Sequence, residues 1–371
     1  MKTARIIFTG GFLGAGKTTL LREAAQRLMK QGFNVGLITN DQAPELVDSM
    51  LLSKHGLKVS EVSGSCFCCN FNGLTAAIQH LRTESATDII IAEPVGSCTD
   101  LSATIMQPLK QFRSRELNIA PLSVLADPAR LTAILDGGNA GLHDDAAYIY
   151  RKQLEESDII LITKSDLLTR QEADALQKRT AQAYPHADIL TVSAVTGDGI
   201  DRWLDEALKR NDAGLRLADV NYDIYARGEA VLGWLNGSVR IKGEATEWDA
   251  FIHDFLAELS NRFDANNYSV GHVKIIAESG SRYITGNITG LGDTLSLRGS
   301  IGKSNEIKLV INARVETAPE ELDKIIKESL NNLTDNKYST EVIAWRHLQP
   351  GRPNPAHRFV KVVQDSHNYI D

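Results

Sequence analysis

The chain has 371 residues, 43% of them hydrophobic and 23% charged, with a formal net charge of −7. This is the composition of a globular protein of two or three domains, and without a long basic run it excludes a nucleic-acid footprint. Lys2 and Arg5 flank only the short apolar run Ile6-Ile7-Phe8, and no stretch reaches the roughly 18 apolar residues of a membrane span; neither a signal peptide nor a spanning helix is expected, and the expected location is the cytoplasm.

The N-terminal half alternates β-rich runs with helical stretches. Arg5–Thr9 predicts the first strand. Gly11-Phe12-Leu13-Gly14-Ala15-Gly16-Lys17-Thr18 leaves it and opens a helix with the apolar stripe Leu20, Leu21, Ala24, Ala25, Leu28 and Met29. Further strands are expected at Val35–Thr39, Asp88–Ala92, Leu122–Ala126, Ile159–Thr163 and Ile189–Ser193. Several are apolar throughout, as parallel strands buried on both faces are. The alternation predicts an α/β fold with a mainly parallel sheet.

At 211–222, Asn211-Asp212-Ala213-Gly214 and the polar residues after it read as a linker. Beyond it the pattern predicts a strand at Val231–Ile241, a helix at Glu247–Arg262, a strand at Val270–Ala277 and another within 282–315. A helix opened by Ala318-Pro319-Glu320 and a strand at Thr340–Trp345 follow. Two β-α-β units predict a smaller α+β domain of ferredoxin-like type. The expected divisions are 1–212, 222–348 and an irregular tail, 349–371, punctuated by Pro350, Pro353 and Pro355.

The segment Gly11–Thr18 fits G-x-x-x-x-G-K-[ST] in the strand-to-helix setting that gives the pattern its meaning. Gly11, Gly14, Ala15 and Gly16 let backbone N–H groups curl around phosphate oxygens at a helix N-terminus. Lys17 supplies a cation to the β- and γ-phosphates, and the Thr18 hydroxyl, followed by Thr19, is a ligand for Mg²⁺. Glu93, at the end of Asp88–Ala92, is a second carrier of Mg²⁺, and the Gly96 N–H is placed to sense a γ-phosphate. Asp41, after the strand ending at Asn40, is a second carboxylate expected near the metal. Thr163-Lys164-Ser165-Asp166 ends another strand. A carboxylate at Asp166 matches the paired N–H donors of guanine, which adenine lacks. The Lys164 stem covers the ring, and Ser193-Ala194 forms the second base loop. Asp166 and Ser193-Ala194 argue against a P-loop kinase or metabolic ATPase. No arginine finger is evident.

Cys66, Cys68, Cys69 and Cys98 are the four cysteines, three of them within four positions. A disulfide framework would spread them. The cluster reads as a site for a soft or borderline ion, with Cys98 as an additional ligand, and a redox switch as the competing reading. His55, His80 and His143 read as surface residues, and His272 as structural.

Together these residues resemble the CobW/HypB/UreG class of GTPases, most of all its CobW-type branch. The resemblance rests on Gly10–Leu21, Cys66-Phe67-Cys68-Cys69, Glu93-x-x-Gly96, Thr163-Lys164-Ser165-Asp166 and Ser193-Ala194. It covers about the first 205 residues and implies a slow GTPase that uses GTP/GDP, Mg²⁺ and a transition metal, Zn²⁺ or Co²⁺, which it delivers to a client metalloprotein. The alternative cargo is a corrinoid or other cofactor-dependent enzyme. A homodimer is compatible with the resemblance, and neither nucleic acid nor membrane is an expected partner. Three departures mark the chain as divergent. Thr163 stands where the family usually has Asn, Asp41-Gln42-Ala43 replaces Glu-Phe-Gly, and Pro94-Val95-Gly96-Ser97-Cys98 replaces a Thr-Thr-Gly-rich stretch.

Overall fold

A computed structural model describes residues 3–40, 47–54, 56–289, 295–334 and 337–364. Asp41 and His55, singled out above, lie outside these residues. The chain divides into two units. The first holds Met1–Gln42, Leu52–Tyr225 and Arg352–Asp371; the second holds Ala43–Leu51 and Ala226–Gly351.

The first unit contains β1 (Ala4–Gly11), β2 (Val35–Asn40), β3 (Lys58–Val62), β4 (Ile89–Glu93), β5 (Leu117–Ile119), β6 (Ser123–Ala126), β7 (Ile159–Ile162) and β8 (Asp188–Thr191). They form one parallel sheet in the order β3-β2-β4-β1-β6-β7-β8, with β5 paired to the start of β1. Between the strands run α1 (Lys17–Lys30), α2 (Val47–Lys54, of which residues 47–51 belong to the second unit), α3 (Phe71–Glu84), α4 (Gln107–Arg113), α5 (Pro128–Leu135), α6 (Asp144–Glu155) and α7 (Arg170–Ala183), and α8 (Ile200–Lys209) comes after β8. The helix α9 (Tyr222–Ala230) follows them. Leu20, Leu21, Ala24, Ala25 and Leu28 of α1 pack with Leu37, Ile91 and Trp203 in one buried cluster, whereas Met29, expected in the same stripe, is exposed. Each fully buried leucine or isoleucine there contributes about 1.5–3 kcal/mol. This rigid sheet carries at its C-terminal edge the loops that hold the candidate site.

The second unit contains β9 (Gly233–Glu247), α10 (Trp248–Ala265), β10 (Val270–Ser279), β11 (Arg282–Ile288), β12 (Ser296–Ser300), β13 (Lys303–Val315), α11 (Pro319–Thr334) and β14 (Ser339–Leu348). Its antiparallel sheet has the order β12-β11-β10-β13-β9-β14. The units β9-α10-β10 and β13-α11-β14 interleave as β10-β13-β9-β14, the expected ferredoxin-like arrangement, and the β11–β12 hairpin extends one edge. Trp248, Phe255 and Leu259 of α10 and Ile326 of α11 share a core with Ile275 and Leu309 of the sheet.

The span 282–315, expected to hold one strand, holds three. Strands β3 and β5 were not expected at all. The first is a largely polar sheet edge and the second is three residues long. The stretch 211–221 is irregular, as expected of a linker, yet it is packed down. Buried Asp158 accepts from the N–H groups of Gly214, at 2.6 Å, and Leu215, at 3.0 Å, while Lys110 donates to the Ala213 carbonyl. Among the described residues no helix is long and apolar enough to cross a membrane.

Candidate functional site

The loop between β1 and α1 is held open by its backbone. Gly16 takes φ 89° as the N-cap of α1, a left-handed conformation that favours glycine, and no side chain caps the first turn of the helix. The N–H groups there remain directed out of the helix end. Lys17, Thr18 and Glu93 are all buried. Lys17 Nζ donates to the carbonyl oxygens of Gly11 at 2.7 Å and Phe12 at 3.3 Å, so the ammonium folds back over the loop it follows. Thr18 Oγ1 lies 3.3 and 3.4 Å from the two Glu93 carboxylate oxygens. A hydroxyl and a carboxylate set side by side are hard oxygen donors, the kind Mg²⁺ takes. The residues therefore fit a Mg²⁺-bound phosphate chain: Lys17 and the α1 N-terminus toward the phosphates, Thr18 and Glu93 toward the ion. Gly96 belongs to the same corner, since a Cβ at that position would lie 3.0 Å from Lys17 Nζ and 2.7 Å from Leu13 Cδ2. A side chain there would displace the lysine.

On the other side of β1, Thr163 is buried, and its hydroxyl donates to the carbonyl of Ala15 at 2.9 Å. The residue where an Asn was expected thus braces the phosphate loop. Lys164 has φ 52° and its ammonium sits 2.8 Å from Asp127 Oδ2. Burial opposes the Asp127 charge, but the Lys164 and Arg130 cations hold its carboxyl below the usual range. Asp166 is exposed and accepts from Ser193 Oγ at 2.6 Å, while Ser193 Oγ itself accepts from the N–H groups of Val195 and Thr196. Asp166, Ser193 and Ala194 are thereby brought to one place at the ends of β7 and β8.

The cysteines converge through a tight turn. The N–H groups of Cys69 and Asn70 both donate to the Cys66 carbonyl, and Asn70 then caps α3 by accepting from Gly73 N–H. Sγ of Cys66 lies 3.0 Å from that of Cys68 and 3.3 Å from that of Cys69, and all three sulfurs fall within 4.8 Å. Cys66, Cys68 and Cys98 are buried and Cys69 is half-buried. Hydrogen bonding with the thiols of Cys68, Cys69 and Cys98 holds the Cys66 pKa well below the usual thiol value. Cys98, distant in sequence, is thereby joined to the cluster. The same hydrogen bonding with Cys66 raises Cys68 well above the usual value and pushes Cys69 up to about 11. Three sulfurs this close form a donor set of the kind a soft or borderline ion takes, and binding such an ion as thiolates would release protons.

Three residues that the sequence did not single out tie these parts together. Asn40, buried at the end of β2, donates from Nδ2 to the Val62 and Ser65 carbonyls and accepts from Phe67 N–H, each at 2.8 Å. It thus fixes the loop that carries the cysteines. Gln153 of α6 donates to the Gly96 carbonyl at 3.0 Å and the Cys98 carbonyl at 2.7 Å. Arg130 of α5 donates to the Leu13 carbonyl at 2.8 Å and lies over the Phe12 ring. An arginine next to a phosphate loop was not foreseen because its partner is a backbone atom 117 positions away.

Residues 5–191 match the family model described as CobW/HypB/UreG, nucleotide-binding domain. Similar curated proteins include the zinc chaperone YjiA of Escherichia coli (strain K12), 28% identical over 195 residues, or 52% of this chain and 58% of that protein. The zinc chaperone YeiR of the same organism is 32% identical over 177 residues, or 45% of this chain and 48% of that protein. The chain spans about half the length of the curated relatives it matches. Among solved structures, HypB from Helicobacter pylori in complex with nickel aligns over 56% of this chain and 87% of that one, at 18% identity and a TM-score of 0.41.

Proposed function

The chain belongs to the CobW/HypB/UreG nucleotide-binding family, and on that premise we propose that it hydrolyses GTP and couples its nucleotide state to the binding and delivery of a transition metal to a client metalloprotein. The observation that carries the reading is the connection between two chemistries. Three thiols within 4.8 Å stand on a loop fixed by Asn40, and Cys98 stands two residues from Gly96, beside Lys17. The names of the curated relatives support zinc as the ion.

In this reading Lys17 and the N–H groups of Gly14, Ala15, Gly16, Thr18 and Thr19 neutralise the phosphates, and the lysine stabilises charge that develops during hydrolysis. Thr18 and Glu93 would hold Mg²⁺, which would supply charge neutralisation for the phosphates; Asp41, outside the described residues, is assigned to the same ion from the sequence alone. Thr163, Lys164, Asp166, Ser193 and Ala194 form the guanine site. Cys66, Cys68 and Cys69 take the transported metal as thiolates, with Cys98 the fourth. Hydrolysis relaxes the Glu93–Cys98 loop and lets the metal leave.

The experiment is a Zn²⁺ titration of the nucleotide-free, GTP-analogue and GDP forms, repeated on Cys66→Ser, Cys68→Ser and Cys69→Ser combined. The expected result is tighter Zn²⁺ binding with the GTP analogue by about 5–150-fold, and the same factor in nucleotide affinity when Zn²⁺ is added first, as linkage demands. Equal affinity in all three states would refute the coupling, and undiminished binding in the triple variant would refute the thiol site.

A further inference from the structure

The segment after Gly351 has no helix or strand among its described residues, but it lies across the thiol turn of the first unit. Asn354 N–H donates to Cys69 Sγ at 3.2 Å, and Ala356 N–H donates to the Cys68 carbonyl at 2.8 Å. The His357 ring stands edge-on to Phe71, the residue that opens α3 just after the cysteines, with centroids 5.0 Å apart; Phe112 flanks it on α4. Farther along, Arg358 Nε lies 2.7 Å from Asp100 Oδ2, which also accepts from Tyr222, and Phe359 N–H donates to the Ala103 carbonyl. Asp100 is fully buried and holds φ 65°, an uncommon conformation for a residue with a side chain. The segment therefore bonds to the turn that carries three thiols and to the stretch that follows the fourth, Cys98.

We propose that residues 352–359 are a removable wall of the thiol site, anchored by Arg358, which controls the entry of an incoming ligand at Cys69. Cys66, Cys68 and Cys98 are buried, so Cys69 is the sulfur through which the cluster meets an outside group. Asn354 stands on that sulfur. A metal held by these thiols leaves through ligand exchange, in which an acceptor's thiolate or imidazole joins the ion before a protein thiolate departs. With the wall in place the approach at Cys69 is occupied by backbone, and the N–H···S bond holds the sulfur in position. With the wall displaced the same sulfur is the first to be released. The partner that suits this site is a protein presenting a cysteine or histidine on an extended segment able to take the place of residues 354–356.

The metal-exchange part rests on the metal reading proposed above; the wall itself is tested without metal. In the reduced, metal-free full chain, iodoacetamide modification of each cysteine is followed by peptide mass spectrometry for the wild type, Arg358→Ala, Ala356→Pro and Arg358→Lys. In parallel, transfer of Zn²⁺ from the loaded protein to a chromophoric chelator is timed. Losing the Arg358 anchor should speed Cys69 modification by about tenfold or more, the worth of one charge-assisted contact, and losing the neutral Ala356 N–H bond to the Cys68 carbonyl by a somewhat smaller factor, with Cys98 unchanged. Zn²⁺ transfer should quicken by a similar factor while GTP affinity stays constant, and Arg358→Lys should stay near the wild type. Unchanged Cys69 rates in both disruptive variants would overturn the wall, as would an equal rise at Cys98, which marks general loosening. If the wild type takes up no Zn²⁺, the metal reading falls and the alkylation rates still decide the wall.

Discussion

Replacing Gln153 by Leu tests whether one buried carboxamide transmits nucleotide state to the thiols. In the wild type its two N–H bonds hold the carbonyls of Gly96 and Cys98, one residue group beside Lys17 and the other beside Cys66. Gln153 is 1% exposed, so no water replaces those donors in the variant. Each orphaned carbonyl costs about 1–3 kcal/mol, while removal of Gln153 Oε1, a buried acceptor without a hydrogen-bond partner, returns part of that. The expected net loss of stability is about 1–4 kcal/mol, read from urea unfolding. The functional effect is separate. Zn²⁺ affinities in the GTP-analogue and GDP forms, expected to differ by about 5–150-fold in the wild type, should converge to within about threefold. Gln153→Glu should be worse, because a carboxylate would face two carbonyl oxygens. A variant that loses stability but keeps the full nucleotide dependence of Zn²⁺ binding would refute the reasoning. It would leave Asn40, which fixes the cysteine loop from β2, as the route.

Four further outcomes are expected. GTP should bind at least about a hundredfold more tightly than ATP, and Asp166→Asn should shift preference toward xanthine nucleotides, because the carboxylate matches the guanine donor pair; equal wild-type affinity for GTP and ATP, measured by competition, would rule this out. Lys17→Ala should slow single-turnover hydrolysis at least about a hundredfold, and Glu93→Gln should weaken its Mg²⁺ dependence; unchanged turnover in both would remove hydrolysis from this loop. Arg130→Ala frees the Leu13 carbonyl and should lower kcat about tenfold with little change in GDP affinity, a split that a stopped-flow binding measurement checks. The last is a stability effect at Glu156, where burial, then the nearby Asp100 charge, pushes the carboxyl up to about 8. An acid raised in the folded state gives stability that is complete below its unfolded value and is lost as pH rises to the folded one. At about 1.4 kcal/mol for each pH unit, the span from 4.5 to about 8 corresponds to about 5 kcal/mol. Urea unfolding of Glu156→Gln should lack that decline, and parallel curves for variant and wild type between pH 5 and 8.5 would contradict it.

What the sequence made legible is what is local or periodic. The loop at Gly11–Thr18 is contiguous, the apolar strands announce themselves, and three cysteines in four positions need only a turn to converge. Strand β3 was missed because Lys58, Ser60 and Glu61 lie on a sheet edge, where no continuous apolar run is required. The stretch 211–221 shows loop composition, but nothing in it reveals that Asp158, more than fifty positions earlier, caps its N–H groups. Gln153 is one more polar residue in a helix until its partners are known, and Thr163 reads as a lost guanine contact until its hydroxyl is found on Ala15.

The sheet order then sorts the site in a way that no single motif does. In a parallel sheet every loop after a strand leaves from the same edge, and ligands gather there. Strands β4, β2 and β3 lie on one side of β1, and β6, β7 and β8 on the other. The loops carrying Glu93, Gly96 and Cys98, then Asn40, then Cys66–Cys69, therefore run outward from Lys17 in one direction. Those carrying Asp127, Thr163–Asp166 and Ser193-Ala194 run outward in the other. The proposed base site and the proposed metal site share the phosphate loop but no strand. Substitutions at Asp166 that exchange one base for another should thus leave the nucleotide dependence of Zn²⁺ binding intact, whereas substitutions at Gln153 or Asn40 should alter that dependence without altering the choice of base.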